Sequence, residues 1–561
     1  MNRAYLKWVF LGVLLIVAVI GGLFLSGWVM LLWLKLSQVP LEIGTYFKYV
    51  SAMDTPRVAP FAKQIKLSGL VGFGVPMGLY LLMLYGMFKS KTQSIHGEAR
   101  FATSSDLASK DMFKSTETAI VVGKMNGKLV QFSGQQFVIL AAPTRSGKGV
   151  GIVIPNLLTY QGSMVVLDIK QENFDLTSGW RAGQGQKVFL FNPFAEDGRT
   201  HRWNPLTYVS SDPNFRVSDI MSIAAMLYPD GSADQKFWVS QSRNAFLAFT
   251  LYQMELRDYH VRMGFPEAMR APCTLGAIYR TSSGNGSDLK EYLQGLAQAS
   301  FLSSDAKTAF ANLLSQAEET FSSIMGSFKE PLNSWINPIV DEATSGDDFL
   351  LTDLRKQKMT VYVGILPNKL AESRLIVNLL FSQIINLNTK ELPQSNPDLK
   401  YQCLLLMDEF TSIGKVDIIA SAVSYMAGYN IRLLPIIQSI SQLDATYGRE
   451  SSRTLMTNHA LQIVYTPREQ QDANEYSDML GYTTVKKRNV TRGRETSYSE
   501  HEERRALMLP QELKAMSPKK EIFLCESIPH PVMCDKIRYY EDKYFTKRLV
   551  EPVEVSQLKT Q

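Results

Sequence analysis

Cysteine is scarce in this chain, four among 561 residues. Cys273, Cys403, Cys525 and Cys534 stand far apart or inside apolar runs, which excludes a disulfide framework and leaves buried free thiols in a reducing compartment. Histidine is nearly as rare, with six. No two of His96, His201, His260, His459, His501 and His530 have the close spacing of zinc ligands, so no zinc site is expected. A commanding charge of one sign is missing as well. The net charge is +6, which permits contact with nucleic acid or anionic lipid without requiring it. Hydrophobic residues at 45% and charged residues at 20% exclude a disordered chain. The length exceeds one ordinary hydrophobic core, so two or three domains are expected.

What is present begins with residues 137–158, FVILAAPTRSGKGVGIVIPNLL. A short apolar run, a turn at Pro143, Thr144, Arg145, Ser146 and Gly147, and renewed apolar spacing after Lys148 and Gly149 read as strand, loop and helix. Such a loop aims several backbone N–H groups at one spot, and the positive end of the helix dipole helps an anion to sit there. Lys148 would reach the β- and γ-phosphates of a nucleotide, the P-loop arrangement. Two parts of that motif are missing: Ala142 stands at the first glycine, and Gly149 stands where a Ser or Thr hydroxyl ordinarily ligands Mg2+. An ordinary strand-to-helix turn is the alternative. Residues 403–410, CLLLMDEF, weigh against it. They form an apolar strand ending in Asp408, able to hold a metal's water shell, and Glu409, able to orient or deprotonate the attacking water. Alone this pair would read as a solvated acidic turn. With Lys148 upstream it points to a nucleotide hydrolase that uses ATP and Mg2+.

Two apolar runs precede that region. Residues 8–34 carry no charge and are long enough to cross a bilayer as a tilted helix, with Trp8 near one end and Trp28 and Trp33 near the other as interfacial anchors. A signal peptide is the competing reading, but the run is too long for its apolar core and no small-x-small cleavage site follows. Residues 67–88 form a second span containing Pro76, which membrane helices tolerate. Two crossings put Met1 and everything after Lys91 on one side. The loop 35–66 carries Lys48, Arg57, Lys63 and Lys66, so charge does not orient the pair. A nucleotide site needs cytoplasmic ATP, which places the amino terminus and the ATPase part in the cytoplasm and the loop 35–66 on the other side. Residues 1–95 are thus expected to be a two-helix transmembrane anchor.

Beyond it, residues 163–168, 187–192, 360–365, 403–407, 433–437 and 461–465 look like strands buried on both faces, separated by helices. An α/β fold with a mostly parallel sheet follows, with ligands at the carboxyl ends of the strands, where Lys148 and Asp408 fall. Residues 211–304 break the rhythm with helical patterns at 217–228, 237–256 and 288–298, the pattern of an inserted all-α domain. Phe237, Trp238, Phe246, Phe249 and Tyr252 there read as helix core rather than as a stacking platform for bases. Residues 483–505 gather Lys486, Lys487, Arg488, Arg492 and Arg494. They read locally as a solvated mobile loop, and in a ring they could touch a passing phosphate backbone.

Several stretches resemble one family: HGEAR at 96–100, APTRSGKGVG at 142–151, VVLDIKQE at 165–172, FNPF at 191–194 and Trp203-Asn204-Pro205. After the helical region come LLMDEF at 405–410, IIQSISQL at 436–443, Asn458, and Pro529 through Lys536 to Tyr540. Together they are similar to the type IV secretion coupling proteins, the TraG/TraD-like inner-membrane ATPases of conjugation and effector export. The resemblance implies a RecA-like domain over 96–210 and 305–545 with the helical insertion inside it, and a tail, 546–561, without a usable signal. It implies that Lys148 binds phosphate, Asp408 holds Mg2+ through water, Glu409 activates water and Gln438 senses the γ-phosphate, the alternative for Gln438 being a polar strand end. It also implies a homo-hexamer with an arginine supplied in trans, Arg432 first, with Arg453 and Arg468 behind it. Asp168, Lys170 and Glu172 are either further site residues or a structural turn. The expected partners are secretion-channel proteins, a relaxase on single-stranded DNA, or effector proteins, at the bacterial inner membrane. Two rivals stand beside this motor: a nucleotide-binding cargo receptor with little hydrolysis, and a chromosome-segregation DNA pump.

Overall fold

The computed structural model describes residues 3–88, 97–492 and 496–558. It falls into two compact units, Met1–Ile95 and His96–Gln561. The first is a helical hairpin of Arg3–Trp33 and Ala62–Phe88, with the short helix Thr45–Ser51 between them. Phe10–Trp33 and Ala59–Gly86 are long and apolar enough to cross a membrane, and their outward side chains, among them Ile16, Val17, Leu70 and Leu82, are exposed hydrophobics, as bilayer-facing residues must be. The second span starts earlier than the apolar run alone suggests. Gly72 explains how closely the helices pack: any side chain there would run into the backbone of Ser26, the small-residue contact that lets membrane helices approach without a hydrophobic drive.

The second unit is built on one sheet of eleven strands. In chain order these are β1 (Ile120–Met125), β2 (Lys128–Phe132), β3 (Val138–Ala141), β4 (Ser163–Ile169), β5 (Lys187–Phe191), β6 (Met359–Ile365), β7 (Cys403–Met407), β8 (Ile431–Ile437) and β9 (Leu461–Val464), a separate hairpin β10 (Tyr482–Arg492) and β11 (Thr496–Ala506), then β12 (Lys520–Cys525) and β13 (Ile528–Asp535). The spatial order is β2-β1-β13-β12-β9-β3-β8-β7-β4-β6-β5. From β9 to β5 all pairings are parallel, and β12, β13, β1 and β2 add an antiparallel wing. Successive residues of the parallel strands alternate between two cores: Val165, Leu167 and Leu405 enter one, Met164, Val166 and Leu404 the other. A sheet covered on both faces needs such uninterrupted apolar runs. The order brings the carboxyl ends of β3, β8 and β7 side by side.

The helical stretch between β5 and β6 is longer than the expected 211–304. Pro213–Leu227, Lys236–Arg262, Leu275–Ser282, Leu289–Ala297, Ser304–Leu314, Glu318–Leu332 and Pro338–Ala343 all lie in it. Phe246, Phe249, Phe310 and Phe328 share one continuous core with Val361 and Val363 of β6, so the insertion is welded to the sheet. Phe249 stacks on Phe328 at 5.3 Å, which confirms the core role of this aromatic stripe, while Phe237 at its start is 46% exposed.

The basic stretch is a register-paired hairpin, not an irregular loop. Lys486 pairs with Glu502 at 3.6 Å and Lys487 with Glu503 across the strands, so the charges that read as loop are cross-strand partners. Residues 546–558 of the tail, too, are tied to the sheet domain. Arg548 donates to the Leu158 carbonyl at 2.8 Å, Val553 N–H to Ser178 Oγ at 3.1 Å and Leu558 N–H to the Gly198 carbonyl at 2.8 Å. A side chain at Gly179 would meet the Glu551 carbonyl, so the strap crosses the helix Glu172–Gly183 in direct backbone contact.

Candidate nucleotide site

The loop after β3 is held at its root by two backbone bonds, Ala142 N–H to the Ile437 carbonyl and Tyr465 N–H to the Ala141 carbonyl, both 2.9 Å. Ala142 is buried and has no left-handed backbone, so the position needs no glycine and the first departure from the motif costs nothing. Arg145 (φ 61°) and Gly147 (φ 88°) are left-handed, the alternation that turns successive N–H groups to one side. A wide turn, Gly149–Val153, leads into the helix Ile154–Thr159. The end of that helix is capped by Arg181, which donates to the carbonyls of Leu157, Tyr160 and Gly162, each at 2.9 Å.

Lys148 faces the carboxyl end of β7. Its ammonium pairs with Glu409 and lies 3.5 Å from Asp408 Oδ1. Gln438, one residue past β8, donates to Glu409 Oε2 at 2.9 Å and accepts from Thr144 Oγ1 at 3.1 Å. Loop, acid pair and Gln438 therefore form one connected network drawn from three adjacent strand ends. Burial raises the Asp408 carboxyl, and Lys148 works against that rise. Burial acts upward on Glu409 as well, but the Gln438 hydrogen bond and Lys148 outweigh it and hold Glu409 below the usual carboxylate range, in the ionised form that a general base requires. Glu409 is itself left-handed (φ 52°), as are Lys170 and Gln171 at the end of β4. With Arg145, four of the eight non-glycine left-handed residues among the described residues surround this one spot, where strain of about 1–3 kcal/mol each persists only if neighbours enforce it.

The donor set suits a phosphate chain and its magnesium. Lys148 matches an anion, open space surrounds Gly147 and Gly149, and the buried Ser146 Oγ has no hydrogen-bond partner among the described residues. Two carboxylates at a strand end suit a hard cation that keeps most of its water.

Residues 90–561 match the family model described as Type IV secretory system Conjugative DNA transfer. The chain belongs to this family. Among curated relatives it is 29% identical to the protein VirD4 of Rhizobium radiobacter over 524 residues, 91% of this chain and 73% of the relative. It is 27% identical to the conjugal transfer protein TraG of Escherichia coli over 510 residues, 83% and 78% of the two chains. Among solved structures it resembles the bacterial conjugative coupling protein TrwBdeltaN70 in complex with sulphate, with a TM-score of 0.57, 16% identity and coverage of 84% and 98%. TrwB in complex with ADP and Mg2+ fits with a TM-score of 0.55 at 15% identity, covering 83% and 96%. The chain is therefore a type IV coupling protein, and its fold is like that of TrwB.

In this coupling protein Arg432, the first choice for an arginine in trans, is not available to a neighbour. It is fully buried in β8 and donates to the carbonyls of Gln136, Thr118 and Phe132 at 2.7, 2.8 and 3.0 Å. It lies near the start of β8, level with Leu404, whereas the acid pair follows the end of β7. Arg468 donates to the Thr144 carbonyl at 2.9 Å and so braces its own loop. Arg453 is exposed on the helix Arg449–Thr457. Of the basic hairpin residues, Lys486 and Lys487 are exposed and ion-paired. Arg488 and Arg492 lie on β10, their side chains outside the described residues, and Arg494 lies outside the described residues altogether.

Asp168 is a structural cap that also borders the site. Fully buried at the end of β4, it accepts from Asn173 N–H at 3.3 Å and Phe174 N–H at 2.8 Å, in the first turn of the helix Glu172–Gly183. Burial pushes its carboxyl up to about 7 against those two bonds, with Asp408 adding to the rise. The ordinary value is about 3.9, so the folded chain keeps a proton that the unfolded chain has released, and this group's contribution to stability falls as pH rises from about 4 to 7. Asp168→Asn removes the ionisable group and keeps one acceptor oxygen, enough for the bond from Phe174 N–H. The drop in thermal midpoint of the full-length protein between about pH 5.5 and 7.5 should shrink in that variant, and an unchanged drop would count against this assignment. Lys170 approaches Glu409 closely enough to lower it, while Glu172 is exposed. The residue that sequence reading missed is Lys536, whose ammonium reaches the Ser146 carbonyl at 3.3 Å. It was visible only as part of the last matching stretch.

Proposed function

We propose that this coupling protein hydrolyses ATP with Mg2+ at a membrane-anchored ring and couples turnover to delivering cargo to a type IV secretion channel. The observation that carries the reading is the network joining Thr144, Lys148, Glu409 and Gln438 at three adjacent strand ends. Lys148 neutralises the β- and γ-phosphates, and the loop amides orient them. Asp408 holds the metal through water, and bound Mg2+ would offset phosphate charge. Glu409 takes the proton of the attacking water. Gln438, bonded to both Glu409 and the loop, links the state of the phosphate to the base. TrwB has been seen with ADP and Mg2+ and with an ATP analogue, which supports the choice of nucleotide.

In this reading six copies close a ring, and an exposed arginine, Arg453 by its position, completes the neighbour's site. The helical insertion receives a relaxase on single-stranded DNA or an effector protein. Its outer residues Phe215, Met263 and Met269 are exposed, which supports a docking role. The two apolar helices anchor the ring in the bacterial inner membrane, with the amino terminus and the nucleotide site in the cytoplasm. Phosphate release by the full-length protein in detergent, with Mg2+ or with EDTA, tests the core of this reading. Lys148→Ala should abolish Mg2+-dependent release and weaken ATP binding by at least about a hundredfold, by loss of a charge-assisted contact to phosphate. Release that survives Lys148→Ala would end the motor reading.

A further inference from the structure

Lys536 follows β13 directly and approaches the phosphate loop from behind. Its N–H donates to the Lys519 carbonyl at 2.8 Å, fixing the root of the side chain. The ammonium lies 3.6 Å from the centre of the Tyr465 ring and donates to the Ser146 backbone carbonyl at 3.3 Å. Glu521 of β12 is fully buried nearby. It accepts from the Cys534 thiol at 3.5 Å and attracts the lysine, against the burial that pushes Lys536 down to about 8. Asp535, the next residue back, is engaged elsewhere, with Lys520 at 2.6 Å. A side chain at Gly151 would collide with the Tyr465 hydroxyl and crowd the Ile537 carbonyl. The first helical turn after the loop therefore rests directly on the segment that presents Lys536.

The peptide that Lys536 grips joins Ser146 to Gly147. In a trans peptide the C=O and the N–H point opposite ways. A carbonyl held toward Lys536 therefore holds the Gly147 N–H away from that lysine. A cation on the far side of the peptide also polarises it, which strengthens that N–H as a donor.

We propose that Lys536 is a positioning residue for the nucleotide: by holding the Ser146 carbonyl it presets the Gly147 amide and puts a second positive charge behind the phosphate loop. This role rests on the ATP-site reading above, and it concerns the anion-binding amides of the loop, not the metal ligand that Gly149 does not provide. It acts on affinity and not on the reacting atoms.

The test is Lys536→Met in the full-length protein in detergent, because methionine keeps the volume and the contact with Tyr465 while removing the charge. The expected result is a Kd for ATP, by titration calorimetry, raised about tenfold, the order expected for one charge-assisted hydrogen bond. KM should rise in parallel, kcat should stay within about twofold, and the thermal midpoint should not move. Lys536→Arg should return the Kd to within about threefold of the parent. A Met variant that stays folded and binds ATP like the parent overturns the proposal. So does equal loss in the Met and Arg variants, which would mark a packing role. A parent protein that binds no ATP overturns the site reading itself, a distinct failure.

Discussion

Glu409→Gln is expected to bind ATP as tightly as the parent chain and to turn it over at least about a hundredfold more slowly, the lower end of what a positioned general base contributes. The substitution is close to a single-atom change. Glutamine keeps the left-handed backbone of this position (φ 52°) and can still meet Gln438, which donates to the second carboxylate oxygen at 2.9 Å. Lys148 keeps Asp408 at 3.5 Å as a counter-charge, so the phosphate cradle stays assembled. What disappears is the group that accepts a proton while held ionised by Lys148 and Gln438. Fluorescent-nucleotide binding and single-turnover phosphate release, measured on the same preparation, separate the two effects. Turnover within about fivefold of the parent would remove Glu409 from the base role. A variant that also exports cargo normally would favour a receptor that binds nucleotide without working on it.

The second large effect is on stability. Arg432→Met should cost about 1–3 kcal/mol for each buried carbonyl that it leaves without a donor, against a total of about 5–15 kcal/mol for a folded domain. Among the described residues no carboxylate pairs with Arg432. Its guanidinium satisfies three backbone carbonyls, those of Thr118 just before β1, Phe132 at the end of β2 and Gln136 just before β3. Burial lowers it to about 10, so it stays charged at neutral pH. Methionine would leave three acceptors without a donor. Lysine would not rescue them, since one ammonium cannot reproduce a planar fork across three directions. A thermal melt of the full-length variant should show the midpoint lowered by several degrees or the protein lost to aggregation. A midpoint within about two degrees of the parent would mean that the arginine is free to act elsewhere.

The parallel sheet was legible because strands buried on both faces leave long apolar runs, and β4, β6, β7 and β8 all carry them. The site was legible because its chemistry lies in residue types: Lys148, Asp408, Glu409 and Gln438 meet as the family pattern implies. Orientation was harder to read. Nothing in the letters around Arg432 says that β8 turns it inward, and an interior arginine bonded only to carbonyls carries no partner signature in sequence. The hairpin β10–β11 was hidden for a related reason, because Lys486 and Lys487 look solvated until Glu502 and Glu503 are placed opposite them. The helical insertion was recognised by its period, but its far end was not, since Ser304–Leu314 and Glu318–Leu332 continue the same pattern up to β6. Lys536 was out of reach because its contact depends on a carbonyl.

The strap formed by residues 546–558 has a practical bearing on any purified sample. Arg548 grips the far end of the helix that follows the phosphate loop, and Val553 grips the helix that Asp168 caps. Both elements whose other ends frame the ATP pocket are thereby tied to the last stretch of chain. Trimming the stretch as dispensable overhang removes the bonds of Arg548 and Val553 and so unfastens both helices.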